Sequence, residues 1–231
     1  MAATGPETVA TVAALRDRVG GWRRRSMTVG LVPTMGALHD GHSALVRQCR
    51  EQCDRTVVSI FVNPKQFAPN EDFATYPRNE AADLARLAGL GADLVYMPGG
   101  REMYADGFAT VVSVARVSEG LCGVTRPHFF QGVATVVTKL LLQCLPDSAY
   151  FGEKDYQQLQ MVRRLVRDLD IPVAIVGVPT VREADGLAMS SRNAYLTPAE
   201  RAAAPALNRV LNQVAEKLRA GGTARDAAAW G

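Results

Sequence analysis

The sequence predicts an α/β fold: a Rossmann-like, doubly wound and mainly parallel sheet followed by a smaller C-terminal domain. Three features point there. Short apolar runs rich in β-branched residues alternate with segments of helical periodicity, the pattern of βαβ units. Most of those runs are continuously apolar rather than alternating, as strands covered on both faces are. After Val178 the alternation stops and gives way to a polar loop and an Ala-rich helix.

In chain order, Thr8 to Trp22 reads as a helix and Thr28 to Val32 as a strand. His42 to Cys53 is the next helix and Val57 to Val62 the next strand, then helix Asn79 to Leu87 and strand Leu94 to Met97. Thr110 to Val114 has strand composition, Gly132 to Leu145 is an apolar helix, and Ala149 to Phe151 is a short strand. In helix Tyr156 to Leu169, residues Leu159, Val162, Leu165, Val166 and Leu169 recur at three and four, which puts them on one buried face. Strand Val173 to Val178 closes the series. A loop spans Pro179 to Asn193, and Thr197, Pro198 and Glu200 open the last helix with a capping signature. The domain boundary falls near Val181, giving domains 1–181 and 182–231; the second is short for an independent unit. The tail from Gly221 to Gly231 reads as frayed or truncated.

The chain has 231 residues, is 48% hydrophobic and carries a formal charge of +3. Its charges are scattered, which excludes the clustered basic stripe of a nucleic-acid binder. The N-terminus has no charged segment leading into an apolar one, and the most apolar window, Gly132 to Leu145, is interrupted by Lys139, so no membrane partner is expected and the cytoplasm is the expected setting. Cys49, Cys53, Cys122 and Cys144 lack C-x-x-C spacing and are expected to be reduced core residues.

Four stretches carry candidate chemistry. Two of the three histidines, His39 and His42, flank Gly41 in PTMGALHDGH, between a strand and a helix. Backbone N–H groups at a helix start favour an anion, a glycine admits a phosphate close to the backbone, and imidazoles donate to it; the plainer reading is a solvated Asp40-Gly41 turn. FGEKDYQQ, Phe151 to Gln158, places Lys154, one of only four lysines, at another strand-to-helix opening. There the helix dipole disfavours a cation by about 0.3–1 kcal/mol, so either an anionic ligand or the flanking Glu153 and Asp155 compensates. In AMSSRNAYL the hydroxyls of Ser190 and Ser191 and the Arg192 guanidinium suit a triphosphate, or the serines cap the following helix. FVNPKQF sets the neutral amides Asn63 and Gln66 at the carboxyl edge of the sheet, where doubly wound folds bind ligands; they suit a small hydroxylated or carboxylated substrate, or they cap loops.

Together, LVPTMGALHDGH, FVNPKQFAPNEDFATYPR, GVATVVTKLL, FGEKDYQQL and VGVPTVREADGLAMSSRNAYL resemble the pantothenate synthetases, the pantoate-beta-alanine ligase family of the H-x-G-H nucleotidyltransferase superfamily. The resemblance runs from about Met27 to Leu196. It implies a ligase of pantothenate biosynthesis that uses ATP and Mg²⁺, adenylates pantoate with release of pyrophosphate, and passes the acyl group to beta-alanine with release of AMP. It further implies a homodimer. His39 and His42 become the pair that holds the phosphates, with His42 also marked as proton donor, and Met35, Gly36, Ala37, Leu38, His39, Asp40, Gly41 and His42 line ATP. Gly152, Glu153, Lys154 and Asp155 contact ATP, with Lys154 on its phosphates, and Val181 lies at the adenine. Met189, Ser190, Ser191 and Arg192 form the signature loop that clamps the triphosphate; Ser190 and Arg192 count with His39, His42 and Lys154 as the catalytic set. Gln66 and Gln158 hold pantoate, Asn63 shapes the same pocket, and Asp83 is a metal-side candidate. The small C-terminal domain becomes a lid that keeps water from the acyl adenylate.

Two departures stand out. The family's R-P-x-H-F-x-G-V is here RPHFFQGV, Arg126 to Val133, so Phe129 takes the place of the histidine and no role passes to His128. Family chains also continue some fifty residues further, which makes this lid truncated or divergent. Two alternatives therefore stand beside the ligase: a related nucleotidyltransferase acting on another small acid, and a non-catalytic homologue that binds ATP or pantoate.

Overall fold

The computed structural model describes residues 5–226. Its strands are β1 (Glu7–Val9), β2 (Val29–Thr34), β3 (Arg55–Ile60), β4 (Leu94–Tyr96), β5 (Ser148–Gly152) and β6 (Ala174–Val178). Its α-helices are α1 (Val12–Arg23), α2 (Asp40–Gln52), α3 (Glu80–Leu90), α4 (Gly100–Met103), α5 (Cys122–Thr125), α6 (Phe129–Cys144), α7 (Tyr156–Asp168), α8 (Pro198–Ala203) and α9 (Ala206–Arg219). The strands form one sheet in the order β1-β4-β3-β2-β5-β6, and every pairing is parallel. Two compact units result: one holds the chain up to Leu38 and from His42 to Pro179, the other His39–Gly41 and the described chain from Thr180 onward.

Successive strand residues feed opposite faces of the sheet, which is why the runs are apolar throughout. Leu31, Val57, Leu94 and Phe151 pack with α1, α6 and α7 through Leu15, Val19, Leu141, Leu159 and Val162. Their neighbours Val32, Val58, Val95 and Tyr150 pack with α2 and α3 through Leu45, Val46, Cys49 and Leu87. Each fully buried side chain of this kind contributes roughly 1.5–3 kcal/mol. Gly30 has a packing reason: a Cβ there would lie 2.2 Å from the Cys49 Sγ, so its absence lets α2 settle on the sheet.

Five of the expected strands form, within two residues at either end. The sixth does not. At Thr110 to Val114 the Val112 amide donates to the Thr135 hydroxyl of α6 at 3.0 Å, so a helix side chain takes the amide that a neighbouring strand would need. Conversely, Glu7–Val9, read as outside or within the first helix, is the edge strand β1; Thr11 then caps α1 by accepting from the Ala14 amide at 3.2 Å. The single Ala-rich helix is two, because Pro205 cannot continue α8 and opens α9 instead. The capping box predicted at Thr197 and Glu200 is present. In the tail, Gly221 has φ 92° and the Gly222 amide bonds Lys217 O at 3.0 Å, an ordered helix end; residues 227–231 of that stretch lie outside the described residues. Among the described residues no helix is long and apolar enough to cross a membrane.

The cysteine expectation needs one correction. Cys49 and Cys144 are buried, Cys53 is half-buried, but Cys122 is exposed on the short helix α5. Burial pushes the Cys49 and Cys144 thiols up to about 12, which keeps them protonated and inert. Alkylation of the native protein near neutral pH is therefore expected to label Cys122 first and to reach Cys49 and Cys144 only after unfolding, as followed by peptide mass mapping.

α6 begins against the short 3-10 turn Pro64–Gln66 with no room to spare. A Cβ on Gly132 would stand 2.2 Å from the Lys65 carbonyl oxygen and 2.7 Å from the Gln66 Cα, both backbone atoms that cannot swing aside. Gly132→Ala is expected to cost about 1–3 kcal/mol by overpacking, read as a lowered Tm, and to displace Gln66.

Candidate active site

In a parallel sheet all carboxyl ends lie on one edge, and ligands bind where the strand order reverses. Here the order runs β2, β3, β4 to one side and β5, β6 to the other, so the reversal falls between β2 and β5, paired through Gly30 with Ser148 and Leu31 with Ala149. The chain leaving β2 carries Met35 to His42, and the chain leaving β5 carries Gly152 to Asp155. β3, on the other side of β2, delivers Asn63 and Gln66. Three of the four candidate stretches thus follow three adjacent strands.

The first turn is built on left-handed backbone: Gly36 has φ 82° and Ala37 φ 49°, the latter uncommon for a residue with a Cβ. The buried Asp83 of α3 supports it, its carboxylate accepting from the Ala37 amide at 2.9 Å and the Leu38 amide at 2.7 Å. In the second unit the Gly41 amide donates to His39 Nδ1 at 3.1 Å. That bond requires Nδ1 to be bare, so a neutral His39 carries its proton on Nε2. A Cβ on Gly41 would sit 2.7 Å from His39 Cε1; the space expected to admit a phosphate is taken by the imidazole. The same virtual Cβ lies 3.9 Å from the Met189 Cβ, so His39–Gly41 lies beside the start of the MSSR stretch.

Asn63 and Gln66 are almost fully buried. Asn63 Nδ2 donates to Gln66 Oε1 at 3.0 Å and to Gly132 O at 3.1 Å, while its Oδ1 accepts from the Tyr104 hydroxyl at 2.7 Å and the Lys65 amide at 3.2 Å. Gln66 Nε2 donates to Met35 Sδ at 3.2 Å, tying this turn to the residue that opens the histidine loop. Asn63 is therefore the hub that sets Gln66. Sequence reasoning gave no role to Tyr104 or Arg126. Burial pushes the Tyr104 hydroxyl well above its ordinary value, which keeps it a donor to Asn63. Arg126 forks onto Glu71 at 2.6 and 2.7 Å, reaches Gln66 O at 3.3 Å, and stacks 4.0 Å over the Phe129 ring. The signal that pointed to this corner was RPHFFQGV, which Arg126 opens.

Beyond β5, Gly152 leads into a 3-10 turn, Glu153–Asp155, and then α7. Lys154 Nζ lies 3.5 Å from Asp155 Oδ2, a solvated pair whose contribution is small. Gln158 lies one residue beyond Gln157 on α7. Gln157 has a structural task, its Nε2 donating to Val117 O at 2.9 Å and Gly120 O at 2.7 Å and its Oε1 accepting from the Cys122 amide at 3.1 Å.

In the second unit, Arg182 and Ala188 form an antiparallel bridge and the Met189 amide donates to Val181 O at 3.0 Å, which pairs Val181 with the start of the signature loop. Ser190 Oγ accepts from the Arg192 amide at 3.3 Å and caps the turn Ser191–Tyr195, so this serine does cap. Arg201, unremarked in the sequence, holds Asp185 at 2.6 Å and Glu183 at 2.5 Å; its bond leads the causes that hold the Asp185 carboxyl below its usual range.

For a metal, the described residues offer no group of three or more His, Cys, Asp or Glu side chains. Asp83, the metal-side candidate, turns one oxygen to each of two backbone amides.

The sequence profile of the Pantoate-beta-alanine ligase family matches residues 7–230. Pantothenate synthetase of Paramagnetospirillum magneticum is 63% identical over 223 residues, 96% of this chain and 78% of that protein. The Rhodospirillum rubrum pantothenate synthetase is 57% identical over 96% of this chain and 78% of its own length. Among solved structures, pantothenate synthetase from Thermus thermophilus superposes with a TM-score of 0.91 at 52% identity, covering 96% of this chain and 79% of that one. The Francisella tularensis pantoate-beta-alanine ligase, complexed with beta-gamma ATP and beta-alanine, gives 0.81 at 36% identity, covering 93% and 79%. With matches of this extent over a shared parallel sheet, the chain belongs to the pantoate-beta-alanine ligase family.

Proposed function

We propose that this protein uses ATP to join pantoate to beta-alanine through a pantoyl adenylate. The observation that carries the proposal is the delivery of three signature stretches by the adjacent strands β3, β2 and β5, at the edge where the strand order reverses. A relative of the same family is known in complex with an ATP compound and beta-alanine, which supports the same substrates here. In the first step a pantoate carboxylate oxygen attacks the α-phosphorus, and the α–β anhydride bond breaks to release pyrophosphate. In the second the beta-alanine amine attacks the acyl carbon, the bond to AMP breaks, and the amine loses a proton.

His39, His42 and Lys154 are assigned to the phosphates, where fixed donors lower the energy of the charge that develops as pyrophosphate leaves. The Nε2 proton of His39, set by the Gly41 amide on Nδ1, suits that task. Gln66 is assigned to pantoate and is pre-set by the buried Asn63; Gln158 takes the same substrate from α7. Met35, Gly36, Ala37, Leu38, Asp40, Gly41, Gly152, Glu153 and Asp155 are assigned to ATP, as are Val181, Met189, Ser190, Ser191 and Arg192. Magnesium belongs to this reading as a companion of the nucleotide, consistent with its habit of binding through phosphates and water with few protein ligands; when bound it neutralises phosphate charge. A homodimer in the cytoplasm completes the proposal. Light scattering at micromolar concentration is expected to give twice the chain mass, and a monomer would remove the dimer from it.

The deciding measurement supplies ATP, Mg²⁺ and pantoate with and without beta-alanine, follows pyrophosphate and AMP, and identifies the product by mass. Pantothenate is expected only with all components. A different nucleotide-linked product would favour the related nucleotidyltransferase, and binding without pyrophosphate release the non-catalytic homologue. His42→Ala is expected to slow pyrophosphate release by about 10²–10³-fold while leaving the fold intact; turnover near the parent rate would refute the role of the histidine pair. Lys154→Ala is expected to weaken ATP use far more than it lowers Tm.

A further inference from the structure

α3 touches the histidine loop twice from one side of the helix. Asp83, 4% exposed, accepts from the consecutive amides of Ala37 and Leu38 at 2.9 and 2.7 Å. One turn on, Arg86 Nη1 donates to Ser43 Oγ at 3.1 Å, and Ser43 is buried. These two contacts bracket His39 to His42 in the chain, one just before it and one just after. The segment they bracket needs such support. Gly36 and Ala37 both have positive φ, Ala37 is strained there by its Cβ, and two adjacent amides pointing the same way must find an acceptor when half-buried. A carboxylate meets both with charge-assisted bonds. Fit at this point is close, since a Cβ on Gly36 would come within 3.0 Å of Asp83 Oδ2.

We propose that Asp83 and Arg86 are positioning residues, a brace on α3 that fixes the backbone on either side of the histidine pair, and that Asp83 serves the loop rather than a metal ion. The inference rests on the proposed ligase reading for its kinetic consequence. Its structural half stands without that reading.

The test uses Asp83→Asn, close to isosteric, in which an NH₂ faces an amide that needs an acceptor, together with Arg86→Met and Arg86→Lys. Amide exchange by NMR is measured first. In the parent the Ala37 and Leu38 amides are expected to be protected, and in Asp83→Asn to exchange about tenfold or more faster while Leu31 of β2 stays protected. Parent amides that exchange at the rate of a free loop would overturn the brace whether or not any variant folds. Kinetically, kcat for pyrophosphate release is expected to fall about 10–100-fold, the cost of a small misplacement, with the KM for pantoate and the Mg²⁺ half-saturation point within about twofold of the parent. Arg86→Met is expected to show a smaller loss of the same kind, and Arg86→Lys to recover part of it. A tenfold rise in the Mg²⁺ requirement of Asp83→Asn with unchanged Ala37 and Leu38 exchange would make Asp83 a metal ligand and overturn the proposal. If the parent makes no pantothenate, the ligase reading fails while the exchange measurement still decides the brace.

Discussion

The candidate site depends on one seam, the pairing of β2 with β5. Across it Gly30 pairs with Ser148 and Leu31 with Ala149, and Gly30 also makes room for α2 on the face behind. Because both strands run the same way, the loops that leave them emerge side by side, so residues more than a hundred positions apart in the chain share one edge. Right-handed crossovers through helices are what parallel strands require, and the same crossovers place α2 and α7 with their first turns at that edge. The sheet thereby sets the location of the chemistry before any functional side chain is considered.

Precision within that frame comes from backbone held by buried polar groups. Asn63 uses every hydrogen-bonding direction of its amide to fix Gln66, Tyr104 and the start of α6. Asp83 does the equivalent for the loop after β2. Both are buried and polar, costly to place unless satisfied, and both are satisfied by these neighbours. In the second unit the corresponding contacts are more exposed: Arg201 pairs with both Glu183 and Asp185, in the turn before Met189.

How much of this was legible in the sequence follows from how local each cause is. The strand runs at Val57 and Leu94 and the helix at Tyr156 declare themselves by composition and period, and they are where they were expected. The motif stretches were also visible, since histidines, a scarce lysine and a serine pair stand out against this composition. Thr110 to Val114 failed because strand propensity says nothing about who accepts the amide, and here Thr135 of α6 accepts it. β1 failed because three residues are too few to show a period. Tyr104 and Arg126 received no role for a third reason: Tyr104 lies in no motif, Arg126 only opens RPHFFQGV, and their partners Asn63 and Glu71 are dozens of residues away.

The packing of His39 over Gly41 has a consequence for how this motif tolerates change. The imidazole occupies the volume a side chain at position 41 would need, whereas position 40 between them is exposed. The glycine of H-x-G-H is thus restricted by the ring that folds onto it. A saturation library at position 41 would return a narrow alphabet, and anyone grafting the motif onto another scaffold must carry the glycine along with the histidines.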